Sequence, residues 1–278
     1  MGKLRRGLRT ILLMTLVMGL SWFPVAWADL NAGLVAHYPF DGNAQDVTGN
    51  GNDGTVNGAT LTADRFGNAD SAYNFDGVND YIDMKDSPYI QSLVFGHGTV
   101  LTWFKTYSTK WGDIIGYFDA GQGEDGFVIR YQQNGEIYFI LGDSSGNNGA
   151  YQLRVPNLGG NKWHHVAGVW DGNKICLYVD GNLVGSELYV AISEYYSKPV
   201  RLTVGAYPSD PSIVTFKGRI DDIRIYNRAL SKSEIQQLYQ GENNYTTNGG
   251  FTQADIDNAI EQGKQACISN PASCGINF

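Results

Sequence analysis

The run Asp46-Val-Thr-Gly-Asn-Gly-Asn-Asp53 concentrates carboxylates, a hydroxyl and side-chain amides in a short, glycine-punctuated stretch. Ca²⁺ takes six to eight oxygen ligands from carboxylates, amides and main-chain carbonyls in a sharply turning loop, and this stretch offers that donor set. It lacks the Asp-x-Asx-x-Asx-Gly run and the glutamate at position twelve of an EF-hand. An Asx-rich turn with no metal is the competing reading. His164-His165 look like metal ligands, but adjacent strand residues face opposite ways and cannot converge on one ion. Retaining glycoside hydrolysis needs two carboxyls about 5–5.5 Å apart. Asp221 and Asp222, as strand neighbours, are expected on opposite faces, and Glu124-Asp125 precede a glycine turn. The chain has no Gly-x-Ser-x-Gly elbow, no His-Glu-x-x-His and no phosphate loop of the Gly-x-x-x-x-Gly-Lys type. Gly121-Gln-Gly-Glu-Asp-Gly126 matches a dinucleotide fingerprint in letters, yet no helix pattern follows it. No catalytic set is expected.

Binding is the better expectation. Sugars are held by aromatic faces that stack on their apolar sides and by polar groups that fix their hydroxyls. Trp111 in Ser108-Thr-Lys-Trp-Gly-Asp113, and Tyr195-Tyr196 in Ser193-Glu-Tyr-Tyr-Ser197, are the loop aromatics that suit this role. Packing on the base of each loop is the alternative. Cys267 and Cys274 lie seven apart across Asn270-Pro271 and form either a small disulfide loop or two free thiols, an oxidising compartment favouring the loop. Cys176, inside a strand-like run, reads as a small hydrophobe.

These residues need a framework of strands and tight turns. Glycine numbers 35 of 278 residues, nearly twice ordinary usage, which points to many turns. Asp-Gly and Asn-Gly pairs recur and favour hairpins. Between them, 34–40, 71–75, 81–84, 99–105, 113–118, 126–132, 136–141, 163–170, 174–179, 202–206 and 218–226 read as strands, the signature of an antiparallel sandwich. In 163–170, alternation places Trp163, His165, Ala167 and Val169 on one face and His164, Val166, Gly168 and Trp170 on the other. Ser231-Lys-Ser-Glu234 is a capping box ahead of Ile235, Leu238 and Tyr239. Helical spacing returns over 252–267.

Residues 1–28 have the basic, apolar and Ala-x-Ala layout of a secretory signal peptide, with cleavage expected after Ala28. An uncleaved anchor is the alternative, but the apolar core is about ten residues, short of a span. The formal charge of −8 becomes −12 once Lys3, Arg5, Arg6 and Arg9 are removed with that segment. Such a chain has no electrostatic reason to bind nucleic acid. No later stretch is long and apolar enough to cross a membrane. The expected organisation is a signal peptide (1–28), a sandwich domain (33–241), a polar linker (242–250) and a helical tail (251–278).

Three motifs carry a resemblance: Leu34-Val-Ala-His-Tyr-Pro-Phe-Asp-Gly42 with Tyr73-Asn-Phe-Asp-Gly-Val-Asn-Asp-Tyr-Ile82, then Trp163-His-His-Val-Ala-Gly-Val-Trp-Asp-Gly172 with Leu177-Tyr-Val-Asp-Gly181, then Gly218-Arg-Ile-Asp-Asp-Ile-Arg-Ile-Tyr-Asn-Arg-Ala-Leu-Ser231. Over about residues 33–241 the chain resembles the laminin-G-like, concanavalin A-like jelly-roll domains of secreted bacterial proteins. The resemblance implies an all-β, antiparallel two-sheet sandwich that mostly serves as a non-catalytic binding module, usually for carbohydrate. It implies a structural calcium where an N-terminal loop meets the final strand, with Asp46 and Asp221 as side-chain ligands and Asn52 as a third through its backbone. The expected partner is a glycan, or a surface protein if the role is adhesive; a polysaccharide-active hydrolase or lyase is the remoter reading. The expected location is outside the cytoplasm: periplasm, cell surface or extracellular. Sequence fixes no oligomeric state.

Overall fold

Alternating apolar and polar side chains become fifteen strands, numbered in chain order, in a computed structural model that describes residues 29–84, 90, 93, 96–119, 125–142, 151–188, 201–208, 210 and 214–241. Residues 1–28, the linker at 242–250, the tail with Cys267 and Cys274, and Tyr195 and Tyr196 lie outside the described residues. One sheet runs β13 (Asn182–Leu188), β12 (Lys174–Val179), β11 (Trp163–Trp170), β6 (Gly98–Lys105), β15 (Lys217–Tyr226), β4 (Ala72–Asp76), β3 (Thr60–Thr62), with β1 (Leu34–Tyr38) also on β15. The other runs β10 (Tyr151–Val155), β9 (Ile137–Leu141), β8 (Asp125–Tyr131), β7 (Gly112–Asp119), β14 (Leu202–Val204), β5 (Tyr81–Asp83), β2 (Thr55–Asn57). Neighbouring strands pair antiparallel, as the hairpin signals require.

The main core fills the space between the sheets. Val166 and Trp170 of β11 enter it, while Ala167 and Val169 join a second apolar cluster on the outer face of the first sheet, so the alternation read from sequence holds. Trp170 is fully buried and its indole N–H donates to the Leu93 carbonyl (2.9 Å). Gly168 leaves room for Phe139, whose ring lies 2.3 Å from where a Cβ would stand.

A single helix among the described elements, α1 (Lys232–Gly241), closes the second cluster. Ser231 caps it: the Ser231 N–H donates to the Glu234 carboxylate (2.8 Å) and the Glu234 N–H to the Ser231 hydroxyl (3.3 Å). Ile235 and Leu238 pack on Leu101, Ala167 and Tyr226, and Tyr239 stacks on Trp103 with centroids 5.6 Å apart.

β2, β3, β10 and β13 are strands beyond those expected. β2 and β3 span three residues each, too short to show a period, and β13 is an exposed edge strand with a central glycine. They form because neighbouring strands supply the pairing.

β15 decides where the domain's polar groups gather. On one side it pairs with β6. On the other it pairs with β4 over residues 217–220 and with β1 over residues 223–226. Asp221-Asp222 fall at this change of neighbour, in the middle of the strand.

Candidate functional site

Two polar regions emerge from this framework. The first lies where β1 meets β15. Asp46 follows β1 in a loop that turns back across it. One Asp46 carboxylate oxygen accepts the His37 N–H (3.1 Å), the Thr48 N–H (3.0 Å) and the Thr48 hydroxyl (2.7 Å). The other accepts the Asn52 side-chain amide (2.8 Å). Burial alone would raise the Asp46 carboxyl, but these donors outweigh it and hold the group below the usual carboxylate range. The amides of Asn50 and Asn52 and the Thr48 hydroxyl also reach the Val35 carbonyl, at 2.8, 3.2 and 3.3 Å. One carboxylate, one carbonyl, one hydroxyl and two amides thus converge on one point of the loop. An amide presents its oxygen as readily as its nitrogen after a half-turn, so this donor set fits Ca²⁺. The Asn52 backbone carbonyl accepts the Tyr38 hydroxyl at 2.7 Å, and its side-chain amide faces Asp46.

Asp221 does not join this set. Its carboxylate pairs with the Arg65 guanidinium, on the loop between β3 and β4. Arg65 also reaches Asp222 at 3.7 Å, and Asp222 meets the His37 imidazole at 2.8 Å and Arg224 at 3.1 Å. The expectation that Asp221 and Asp222 face opposite ways is corrected here. Asp222 has φ of 43° and the register with β6 shifts between Asp221 and Arg224, so a bulge turns both carboxylates toward one guanidinium. Burial pushes the Asp221 carboxyl up, and the Arg65 guanidinium pulls it back toward the ionised form. The group is a buried ion-pair network: Arg65 also lies over the rings of Phe66 and Trp103, at 4.5 and 4.7 Å. Among the described residues, no three His, Cys, Asp or Glu side chains gather as a metal cluster. The loop's fit to calcium rests on neutral oxygens around one carboxylate.

The paired histidines part as the alternation demands. His164 Nδ1 lies 2.9 Å from Asp180, whose other oxygen accepts the His165 N–H. The His165 ring is fully buried between Trp103 and Tyr239, with no hydrogen-bond partner on either nitrogen among the described residues. Burial lowers its pKa to about 4.

The second region is the β6–β7 connection. Thr106 anchors it: its hydroxyl donates to the Lys217 carbonyl (2.6 Å), and its carbonyl accepts the Asn161 N–H (2.9 Å). The Ser108 N–H donates to the Thr106 hydroxyl (3.0 Å), and the Tyr131 hydroxyl donates to the Ser108 carbonyl (3.0 Å). Gly112 ends the loop against the Phe216 backbone, 2.5 Å from where a Cβ would stand. On this fixed connection Trp111 is 42% exposed. Arg130 lies over its ring at 5.2 Å and is itself held by the fully buried Asp113 through two hydrogen bonds, at 2.5 and 3.1 Å. Sequence reasoning passed over Tyr107, 62% exposed, with the Lys217 ammonium 5.8 Å from its ring centroid. The signal was available: two aromatics four residues apart in one polar loop.

The Laminin_G_3 family, described as the concanavalin A-like lectin/glucanases superfamily, matches residues 75–236, more than half of the chain. The chain belongs to this family. Its all-β jelly roll places it among the concanavalin A-like folds, and solved structures agree. The receptor-binding domain of a botulinum neurotoxin C/D mosaic serotype superposes with a TM-score of 0.60 at 19% identity, covering 75% of this chain and 51% of that one. The binding domain of botulinum neurotoxin DC, solved in complex with rat synaptotagmin II, gives 0.58 at 14% identity, with 75% and 51% coverage. The same domain in complex with SialylT gives 0.57 at 14%, with 76% and 52% coverage. This concanavalin A-like chain spans about half the length of those structures. No curated protein matches it.

Proposed function

We propose that this chain is an exported, non-catalytic recognition module that binds carbohydrate through the β6–β7 connection. The observation that carries the reading is Trp111: a large ring kept exposed on a loop whose base, ends and backing guanidinium are all fixed. Folding gains nothing from holding an indole in water, whereas a preorganised ring lowers the entropic cost of binding a sugar face. A calcium ion held by Asp46, Thr48, Asn52 and the Val35 carbonyl would tie the loop to β1 and act as a structural staple. Export rests on the leader at 1–28, and a mature chain beginning at Asp29 is its measurable consequence. The test is a glycan array probed with the wild-type protein and with Trp111→Ala. Binding by the wild type that Trp111→Ala abolishes, with unchanged melting, supports the reading; a wild type that binds no glycan defeats it.

A second reading, an adhesive surface protein that contacts another protein, is favoured by β13, an edge strand with Leu183, Val184 and Leu188 exposed. Capture of a protein partner that Leu188→Lys abolishes and Trp111→Ala leaves intact would favour it.

A further inference from the structure

Basic residues surround the exposed aromatics of the β6–β7 connection. Lys105 is the last residue of β6 and Lys110 lies within the loop. Lys162 follows Asn161, which bonds the loop base, and Lys217 reaches over Tyr107. None of these four lysines pairs with a carboxylate among the described residues. Two acids lie nearby. Asp113 is held by Arg130. Asp76, opposite Lys217 in the ladder, accepts the Val78 N–H at 2.7 Å. A chain that carries −12 after its leader thus gathers four lysines at a loop on which, among the described residues, two aromatic rings stand in water. Four residues of chain separate the Tyr107 and Trp111 Cα atoms by no more than roughly 14 Å, a span a short oligosaccharide covers.

We propose that this connection binds an acidic polysaccharide, with sugar rings stacked on Trp111 and Tyr107 and with carboxylate or sulfate groups paired to Lys110 and Lys217. The proposal rests on the carbohydrate reading above and names the ligand's charge class and a second stacking residue. Neutral glycans need the rings and not the lysines; a plain polyanion needs the lysines and not the rings. The acidic sugar needs both. Single-stranded nucleic acid also combines charge with stacking, but the acidity of the rest of the surface disfavours it.

The test measures binding of the full chain to polygalacturonate, dextran sulfate, neutral dextran and single-stranded DNA across salt. The expected result is binding to polygalacturonate or dextran sulfate that weakens as salt rises, with dextran bound at least about tenfold more weakly. Whether the uronate or the sulfate polymer binds tells the two anionic chemistries apart. The double variant Lys110→Gln/Lys217→Gln should lose roughly two- to thirtyfold in affinity. Tyr107→Ala should lose roughly two- to tenfold and Tyr107→Phe should not. Dextran bound as tightly as the polyanions, with no salt dependence, would overturn the acidic assignment while leaving carbohydrate recognition standing. DNA bound as tightly as the acidic sugars, with no effect of Tyr107→Ala, would overturn it as a bare polyanion surface. Failure to bind any saccharide would remove both readings.

Discussion

The His37 imidazole and the Asp222 carboxylate meet at 2.8 Å although 185 residues separate them in the chain. The His37 main chain donates to Asp46, so one residue of β1 links the oxygen-rich loop to the bulge of β15. The domain's first and last strands are thus tied by side chains as well as by their ladder.

Removing Asp222 should therefore be costly. Asp222→Ala takes a carboxylate from His37, Arg65 and Arg224 and leaves an alanine at φ of 43°. We expect a loss of about 2–4 kcal/mol in unfolding free energy by chemical denaturation. Asp222→Asn, which tolerates that backbone better, should cost less; equal losses would mean the strained backbone plays no part.

Arg65 is the shared cation of Asp221 and Asp222, and all three side chains are nearly buried. Arg65→Ala should cost about 3–5 kcal/mol because it strands two carboxylates in the interior. Adding Asp221→Asn should recover part of that loss. Additive effects in the double-mutant cycle would show that the pair does not interact.

His165 gives stability a dependence on acid. Its folded pKa of about 4 lies below the ordinary value of 6.5, so in that window the unfolded chain binds the extra proton. Its contribution is complete above pH 6.5 and falls as pH drops toward 4, by about 3 kcal/mol in all. The groups around it are Trp103 and Tyr239, with the charges of Asp222, Asp180, Arg65 and Arg224. His165→Phe should flatten the stability profile between pH 6.5 and 4; a slope unchanged in that variant would assign it to other groups.

Calcium should raise the melting temperature. One carboxylate among neutral oxygens suits a weak site, with a dissociation constant of about 10⁻⁴–10⁻³ M. At about 10 mM calcium that gives roughly 1–3 kcal/mol of stabilisation, a few degrees in Tm. Asp46→Asn should remove the calcium-dependent shift, whereas Asp221→Asn should keep it. A melting curve identical in calcium and in chelator would discard the ion.

Gly112→Ala tests whether loop placement matters to recognition. The added methyl meets the Phe216 backbone, which cannot rotate away. We expect about 1–3 kcal/mol of destabilisation and weaker saccharide binding with Trp111 still present. Unchanged binding would show that the ring tolerates displacement.

The sheets were readable because their signals are local. Asp171-Gly172 and Asp180-Gly181 turn the chain between strands, and the alternation of Trp163–Trp170 divides that strand between core and outer face. Ser231 and Glu234 announced their helix in the same way, since both partners of the cap lie within one turn. Trp111 was legible as a loop aromatic, but sequence could not say what stands behind its ring.

What the sequence could not determine depends on partners distant in the chain. Period-two alternation sends Asp221 and Asp222 to opposite faces; the bulge that turns both toward Arg65 arises where β15 changes neighbour from β4 to β1, which is a property of the assembled sheet. Arg65, 156 residues from Asp221, carries no local mark of that pairing. The lysines around Tyr107 come from three separate stretches of chain and form one charged patch only after strand pairing gathers their backbones. Composition and spacing specified most of the strands, because those preferences act over a few residues; β2, β3, β10 and β13 needed their neighbours. Which charges meet was decided by packing, because electrostatic partners are chosen by distance in space and not by distance along the chain.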